Sequence, residues 1–129
     1  ISSKKWHIRF VRYNITSAPL KKEIFNAIYS LDVFEHIEKK KSKKFILNCK
    51  KSLKKTGCLI IGIPSLESQK YASKMSKEGH VNCLSGDEFK RLMKKHFNNV
   101  FLFSMNDEVV HTGFYKMSNY LFAVCTGKK

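Results

Sequence analysis

Two short apolar runs, Ile24-Phe25-Asn26-Ala27-Ile28-Tyr29-Ser30-Leu31 and Cys58-Leu59-Ile60-Ile61-Gly62-Ile63, are separated by a lysine-studded segment. Runs of this length, apolar nearly throughout, suit strands covered on both faces, as in parallel sheets. Between them Phe45, Cys49 and Leu53 recur at i, i+4 and i+8 with Ile46 beside them, which predicts an amphipathic helix within Glu38 to Lys55 that turns lysines to solvent. Gly57 falls where a helix C-cap is expected, and Pro64-Ser65 stops the second run. Strand, helix, strand is the repeating unit of α/β proteins.

The flanks extend the pattern. Trp6-His7-Ile8-Arg9-Phe10-Val11-Arg12-Tyr13 alternates as a strand does, and Asn14 to Pro19 supplies turn residues. Leu66 to Leu84 lacks clean periodicity and reads as a long loop with about one helical turn, a length that tends to be functional. Ser85-Gly86-Asp87-Glu88 matches the capping box S-x-x-E, and Phe89, Leu92, Met93, His96 and Phe97 follow at helical spacing. Val100–Ser104 and Tyr120–Thr126 are expected strands joined by a polar connection, Met105 to Asn119.

Composition narrows the class. The 129 residues are one domain's worth of chain, and a hydrophobic content of 43% with ten Phe argues against disorder. No apolar run approaches the roughly 20 residues of a membrane span, and no basic-then-apolar leader opens the sequence, so a cytoplasmic protein is expected. Cys49, Cys58, Cys83 and Cys125 show no C-x-x-C pair and no histidine at a zinc-ligand interval. They are expected to be reduced, mostly core residues, with no metal site. The net charge of +15 raises nucleic acid as a partner, but only Arg9, Arg12 and Arg91 of the 25 basic residues are arginine. Base and phosphate recognition favours the planar arginine fork, and the lysine helix has no aromatic interleaving, so a solvated basic surface is the preferred reading.

Ligands in α/β sheets sit at the carboxyl ends of the strands. The polar stretch Ser30-Leu31-Asp32-Val33-Phe34-Glu35-His36 follows the first apolar run at just that place. Asp32 or Glu35 can alternatively serve the start of the next helix, accepting its unpaired amides.

"FNAIYSLDVFEHI", then a helix, then "LKKTGCLIIGIPS", resembles the fourth strand, following helix and fifth strand of class I S-adenosylmethionine-dependent methyltransferases, of the type 11 kind that carry "EH" after that strand. "GHVNCLSGDEFKRLMKKHF" and "FSMNDEVVHTGFYKMSNYLFAV" are similar to that family's C-terminal helix and last two strands. The resemblance implies a partial Rossmann-like fold, mostly parallel with an antiparallel C-terminal strand. The glycines Gly57, Gly62, Gly79, Gly86, Gly113 and Gly127 include no G-x-G, so residues 1–129 are expected to form a single domain that is the C-terminal portion of a methyltransferase domain. Trp6–Tyr13 would then be the third strand without its usual neighbours, leaving an open edge suited to homo-oligomerisation.

The resemblance also implies roles. S-adenosylmethionine would be the cofactor. Asn14 and Ile15 match the pair that reads the adenine, with Asn14 standing where the family usually has an acid; Ser30, Leu31 and Asp32 match the strand end facing the methionine and sulfonium, and Val33 packs against the base or linker. His36, His80 and His111 are the candidate catalytic bases, with Glu35 structural. Ser65, Tyr71 and Tyr115 are candidates for the acceptor pocket, the acceptor being a small molecule or saccharide. A non-catalytic basic module and a scaffold that kept the fold are the alternatives.

Overall fold

The structure, a computed structural model, describes residues 8–107 and 109–129. Strand β1 (Phe25–Leu31) leads through a 3-10 turn at Phe34–His36 into helix α1 (Lys39–Ser52), and β2 (Leu53–Pro64) follows without a loop. After a second 3-10 turn (Glu67–Tyr71) come α2 (Lys74–Gly79) and α3 (Gly86–Lys94), then β3 (Phe97–Asn106), β4 (Val109–His111), a 3-10 turn at Tyr115–Met117 and β5 (Tyr120–Lys128). The five strands form one sheet in the order β1-β2-β5-β3-β4.

The α/β class holds, but the sheet is not mostly parallel. Only β1 and β2 pair in parallel; β5 runs antiparallel between β2 and β3, and β4 returns antiparallel along β3. Because β5 separates them, β3 points the same way as β1 and β2 without bonding to either. The connection expected between Met105 and Asn119 thus contains a strand of its own.

Alternation decides the core. Leu59, Ile61 and Ile63 of β2 and Leu121, Ala123 and Cys125 of β5 are buried on one face, against Phe45, Ile46 and Cys49 of α1 and Phe89 and Met93 of α3. Both helices therefore cover the same face, and the domain has two layers. On the other face Tyr29, Ile60, Val124 and Phe101 lie side by side across four strands, and Tyr29 is 75% exposed. The expectation that Ile24–Leu31 is covered on both faces fails here. β1 is the outermost strand, and among the described residues no strand pairs with its outer edge.

Three other local expectations change. No strand forms over residues 8–13; the remainder of the Trp6–Tyr13 run lies outside the described residues. An isolated alternating run gains nothing from extension unless a neighbour takes its backbone bonds, so the open edge of the sheet belongs to β1 instead. Gly57 is not a helix cap. α1 ends at Ser52, the chain goes straight to extended backbone at Leu53, and Gly57 lies in β2 where an added Cβ would stand 3.1 Å from the Asn26 carbonyl oxygen. The segment 66–84 holds two helical pieces rather than one turn in a loop. By contrast, the Ser85 and Glu88 capping box forms in full, the Ser85 side chain accepting from the Glu88 amide and the Glu88 carboxylate from the Ser85 amide. All four cysteines are free thiols.

Candidate functional site

β1 ends in a constrained corner. Asp32 adopts a left-handed backbone (φ 52°), and its amide donates to the Tyr120 hydroxyl at 3.0 Å. Burial, and then the nearby Asp32 and Glu35 carboxylates, push the Tyr120 phenol above its ordinary value, so it stays protonated. Beside this corner a cavity of about 910 Å³ runs along β1, lined by Ile15, Leu20, Ile28, Ser30, Leu31 and Val33 with Phe45 and Cys49 from α1. α1 shapes it by pinning the preceding loop: Asn48 donates to the Ile15 carbonyl at 2.7 Å, and the Ser52 hydroxyl accepts from the Leu20 amide.

Of the six residues expected to hold the cofactor, Ile15, Ser30, Leu31 and Val33 line this cavity. The Ser30 hydroxyl is buried without a hydrogen-bond partner, as a group awaiting a polar ligand would be. Asn14 spends its side-chain oxygen on its own turn, accepting from the Thr16 amide and hydroxyl at 3.0 and 2.7 Å. Asp32 sits at the corner with its carboxylate on the Tyr120 side.

One turn further on, the structure brings two of the three candidate bases together. The rings of His36 and His80 meet edge to face with centroids 5.0 Å apart, and Glu35 lies under them, only 1% exposed. Phe34 drives the 3-10 turn inward by packing between Phe45 and Phe89, which carries Glu35 down with it. Asn82 ties the two loops: its amide N–H donates to the Glu35 carbonyl, and its side chain donates to the Phe34 carbonyl and the Ser42 hydroxyl.

Hydrogen bonds settle both tautomers. His36 Nδ1 lies 2.9 Å from the Gly79 carbonyl oxygen, which only accepts, so Nδ1 carries the hydrogen. His80 Nδ1 lies 2.8 Å from Gln69 Oε1. The Gln69 amide is oriented by its own Nε2 donating to the Ser65 carbonyl at 3.3 Å, so Oε1 faces the ring and His80 Nδ1 is also the donor. In its neutral form each imidazole therefore has its lone pair on Nε2. Burial raises the Glu35 carboxyl above the usual carboxylate range, and burial followed by the Glu35 charge pushes the Cys83 thiol up to about 11.

The remaining candidates scatter. His111 stands on β4, the far edge of the sheet, four strands from β1 and so roughly 19 Å away at about 4.8 Å per strand; its Nδ1 accepts from the Gly113 amide. Ser65 is fully buried, donates to the Ser118 carbonyl at 2.6 Å and reaches the histidine pair only through its carbonyl, which accepts from Gln69. Tyr71 is exposed with the Lys70 ammonium over its ring. Tyr115 packs on Gly86 at the start of α3, where a Cβ would stand 2.6 Å from its ring, and the neighbouring Asp87 carboxylate raises its phenol pKa. The sequence reading passed over Gln69, Gly79 and Asn82; the last sits two residues after His80 in "GHVN", the only local signal there was.

Comparisons with known proteins agree with this architecture. The family model for the methyltransferase domain matches residues 2–61. The fold is similar to that of solved S-adenosylmethionine-dependent methyltransferases. Among solved structures, a methyltransferase of this cofactor class from Thermotoga maritima is 21% identical, with a TM-score of 0.72 over 92% of this chain and 63% of that one. Another, from Archaeoglobus fulgidus, is 13% identical, with a TM-score of 0.66 over 92% of this chain and 66% of that one. The chain thus spans about two thirds or less of the structures it resembles. A search of curated proteins gave no match. Among the described residues, no helix is long and apolar enough to cross a membrane.

Proposed function

We propose that this chain is the C-terminal portion of an S-adenosylmethionine-dependent methyltransferase domain, supplying the later strands and the acceptor side of the site. The observation that carries the reading is the corner after β1, where the lining residues Ser30, Leu31 and Val33 and the unpartnered Ser30 hydroxyl meet a cavity on the matched, parallel-paired part of the sheet. Bound there, the cofactor would supply a methyl group on a sulfonium already activated for displacement. The chain's own contribution is alignment and exclusion of water. Ile15, Leu31 and Val33 offer apolar walls and Ser30 a hydroxyl, while His36 and His80, which stand outside that cavity, are the bases we propose for the acceptor's proton. The acceptor we propose is a small molecule or saccharide whose O–H or N–H would meet the His36 and His80 imidazoles. His111, at the other edge of the sheet, is left out of this role.

Calorimetric titration with S-adenosylmethionine tests the reading. The expected result is weak or absent binding to residues 1–129 alone and clear binding once a glycine-rich strand-loop-helix segment is joined ahead of them, lost again in a Ser30→Leu variant. Absence of binding in the joined protein would overturn it.

The open edge of β1 and the bare face around Tyr29 also suit self-association. A homodimer through β1 is the form we propose for the isolated chain.

A further inference from the structure

We propose that Glu35, His36 and His80 bind a divalent first-row transition ion, with zinc as the representative case. Their ligand atoms all lie within 4.8 Å of one another, a grouping found once among the described residues. Zinc bonds to nitrogen and oxygen of about 2.0–2.2 Å hold neighbouring ligand atoms roughly 3.2–3.6 Å apart. Closure therefore asks for a shift of about an ångström, which the half-exposed His36 ring can make.

Three independent features point at a cation. Glu35 is buried, and its Oε2 has no hydrogen-bond partner. A carboxylate left this way is costly unless a positive charge answers it. His36 Nε2 does not do so through a hydrogen bond, because it stands 3.8 Å from Glu35 Oε1, beyond hydrogen-bond reach. Both histidines, moreover, donate Nδ1–H to a carbonyl oxygen, Gly79 in one case and the Gln69 side chain in the other. That outer contact is how metal-binding imidazoles are usually oriented and made more basic. Finally, Asn82 ties together the two loops that carry the ligands, so they are already neighbours before any ion arrives.

Two imidazoles and one carboxylate favour zinc, cobalt, manganese or iron over magnesium and calcium, which prefer all-oxygen shells. Three protein ligands leave positions open for water or an acceptor oxygen. Cys49, Cys58, Cys83 and Cys125 are not part of the set. The proposal is independent of methyl transfer, since neither the site nor its test involves the cofactor. Where both hold, His36 and His80 act as ligands rather than as free bases.

The test uses the chain itself, stripped with chelator and titrated with Zn²⁺ by calorimetry, with Co²⁺ absorption as a second readout. We expect one ion per chain, a Co²⁺ spectrum without a thiolate charge-transfer band, and no competition from excess Mg²⁺. Glu35→Gln and His80→Gln should each raise Kd by about tenfold or more, with far-UV circular dichroism unchanged, whereas His111→Ala and Cys83→Ser should leave it unaltered. Failure to bind either ion, a thiolate band, or equal affinity in the His80→Gln chain would overturn the proposal. Should Glu35→Gln fail to fold, the His80→Gln titration and the wild-type Co²⁺ spectrum still decide.

Discussion

The Asp32 amide and the Tyr120 hydroxyl, 88 residues apart in sequence, are joined by a 3.0 Å hydrogen bond that ties the end of β1 to the start of β5. It holds a non-glycine residue in left-handed backbone at the mouth of the proposed site. Tyr120→Phe keeps the ring and removes this bond. We expect a loss of about 0.5–1.5 kcal/mol in urea unfolding, with faster amide exchange at Asp32 and Val33.

Gly62 pairs with Leu31 on one side and Phe122 on the other. An added Cβ would lie 2.6 Å from the Tyr120 ring and 2.8 Å from Leu31 Cδ2, so these side chains would have to shift. Gly62→Ala should destabilise by about 1–3 kcal/mol. A Gly62→Ala, Tyr120→Leu double variant should recover part of it, read as a shift in urea midpoint.

Glu35 illustrates the conflict between a site and its scaffold. In chelator-treated protein at pH 8, Glu35→Gln removes a buried carboxylate whose Oε2 is unpartnered. The variant is expected to melt higher than the wild type, by about 1–3 kcal/mol in stability. With Zn²⁺ added the order should reverse, since binding to the native state alone stabilises it.

His96 gives the pH dependence. Burial, followed by Lys50, Lys43 and Lys95, lowers its pKa from the model-compound value of 6.5. The unfolded chain therefore takes up the proton first. Stability associated with His96 is fully present above about pH 6.5 and is lost as pH falls toward the depressed native value. Urea midpoints should drop between pH 7 and pH 5, and His96→Gln should flatten that slope.

At β1, sedimentation at micromolar concentration should show dimers of the wild-type chain. Tyr29→Lys places a charge on the bare face beside the edge and should shift the population to monomer. A wild-type chain that sediments as a monomer would reject the edge dimer.

Periodicity and capping rules worked wherever the deciding interactions were local. The Ser85 capping box, the Phe45 and Cys49 stripe of α1 and the apolar runs of β1 and β2 are all written in spacings of two to eight residues. Those same rules failed at Gly57 and over residues 8–13, because a glycine after a helix and an alternating run each admit more than one backbone state. What selects among them is a neighbour distant in sequence: β1 for Gly57, and an absent sheet partner for residues 8–13.

The site divides along the same line. Sequence alone determined that Asp32, Glu35 and His36 follow a strand and that His80 lies in a long connection. Only the tertiary structure decided that His36 and His80 meet beside Glu35 while His111 lies across the sheet. Chain spacing says which side chains leave an element together, but the meeting of two loops depends on how the sheet orders its strands. Here that order, with β5 inserted beside β2 and Asn82 bridging the 3-10 turn to the loop after α2, is a product of packing and long-range hydrogen bonds that no local pattern encodes.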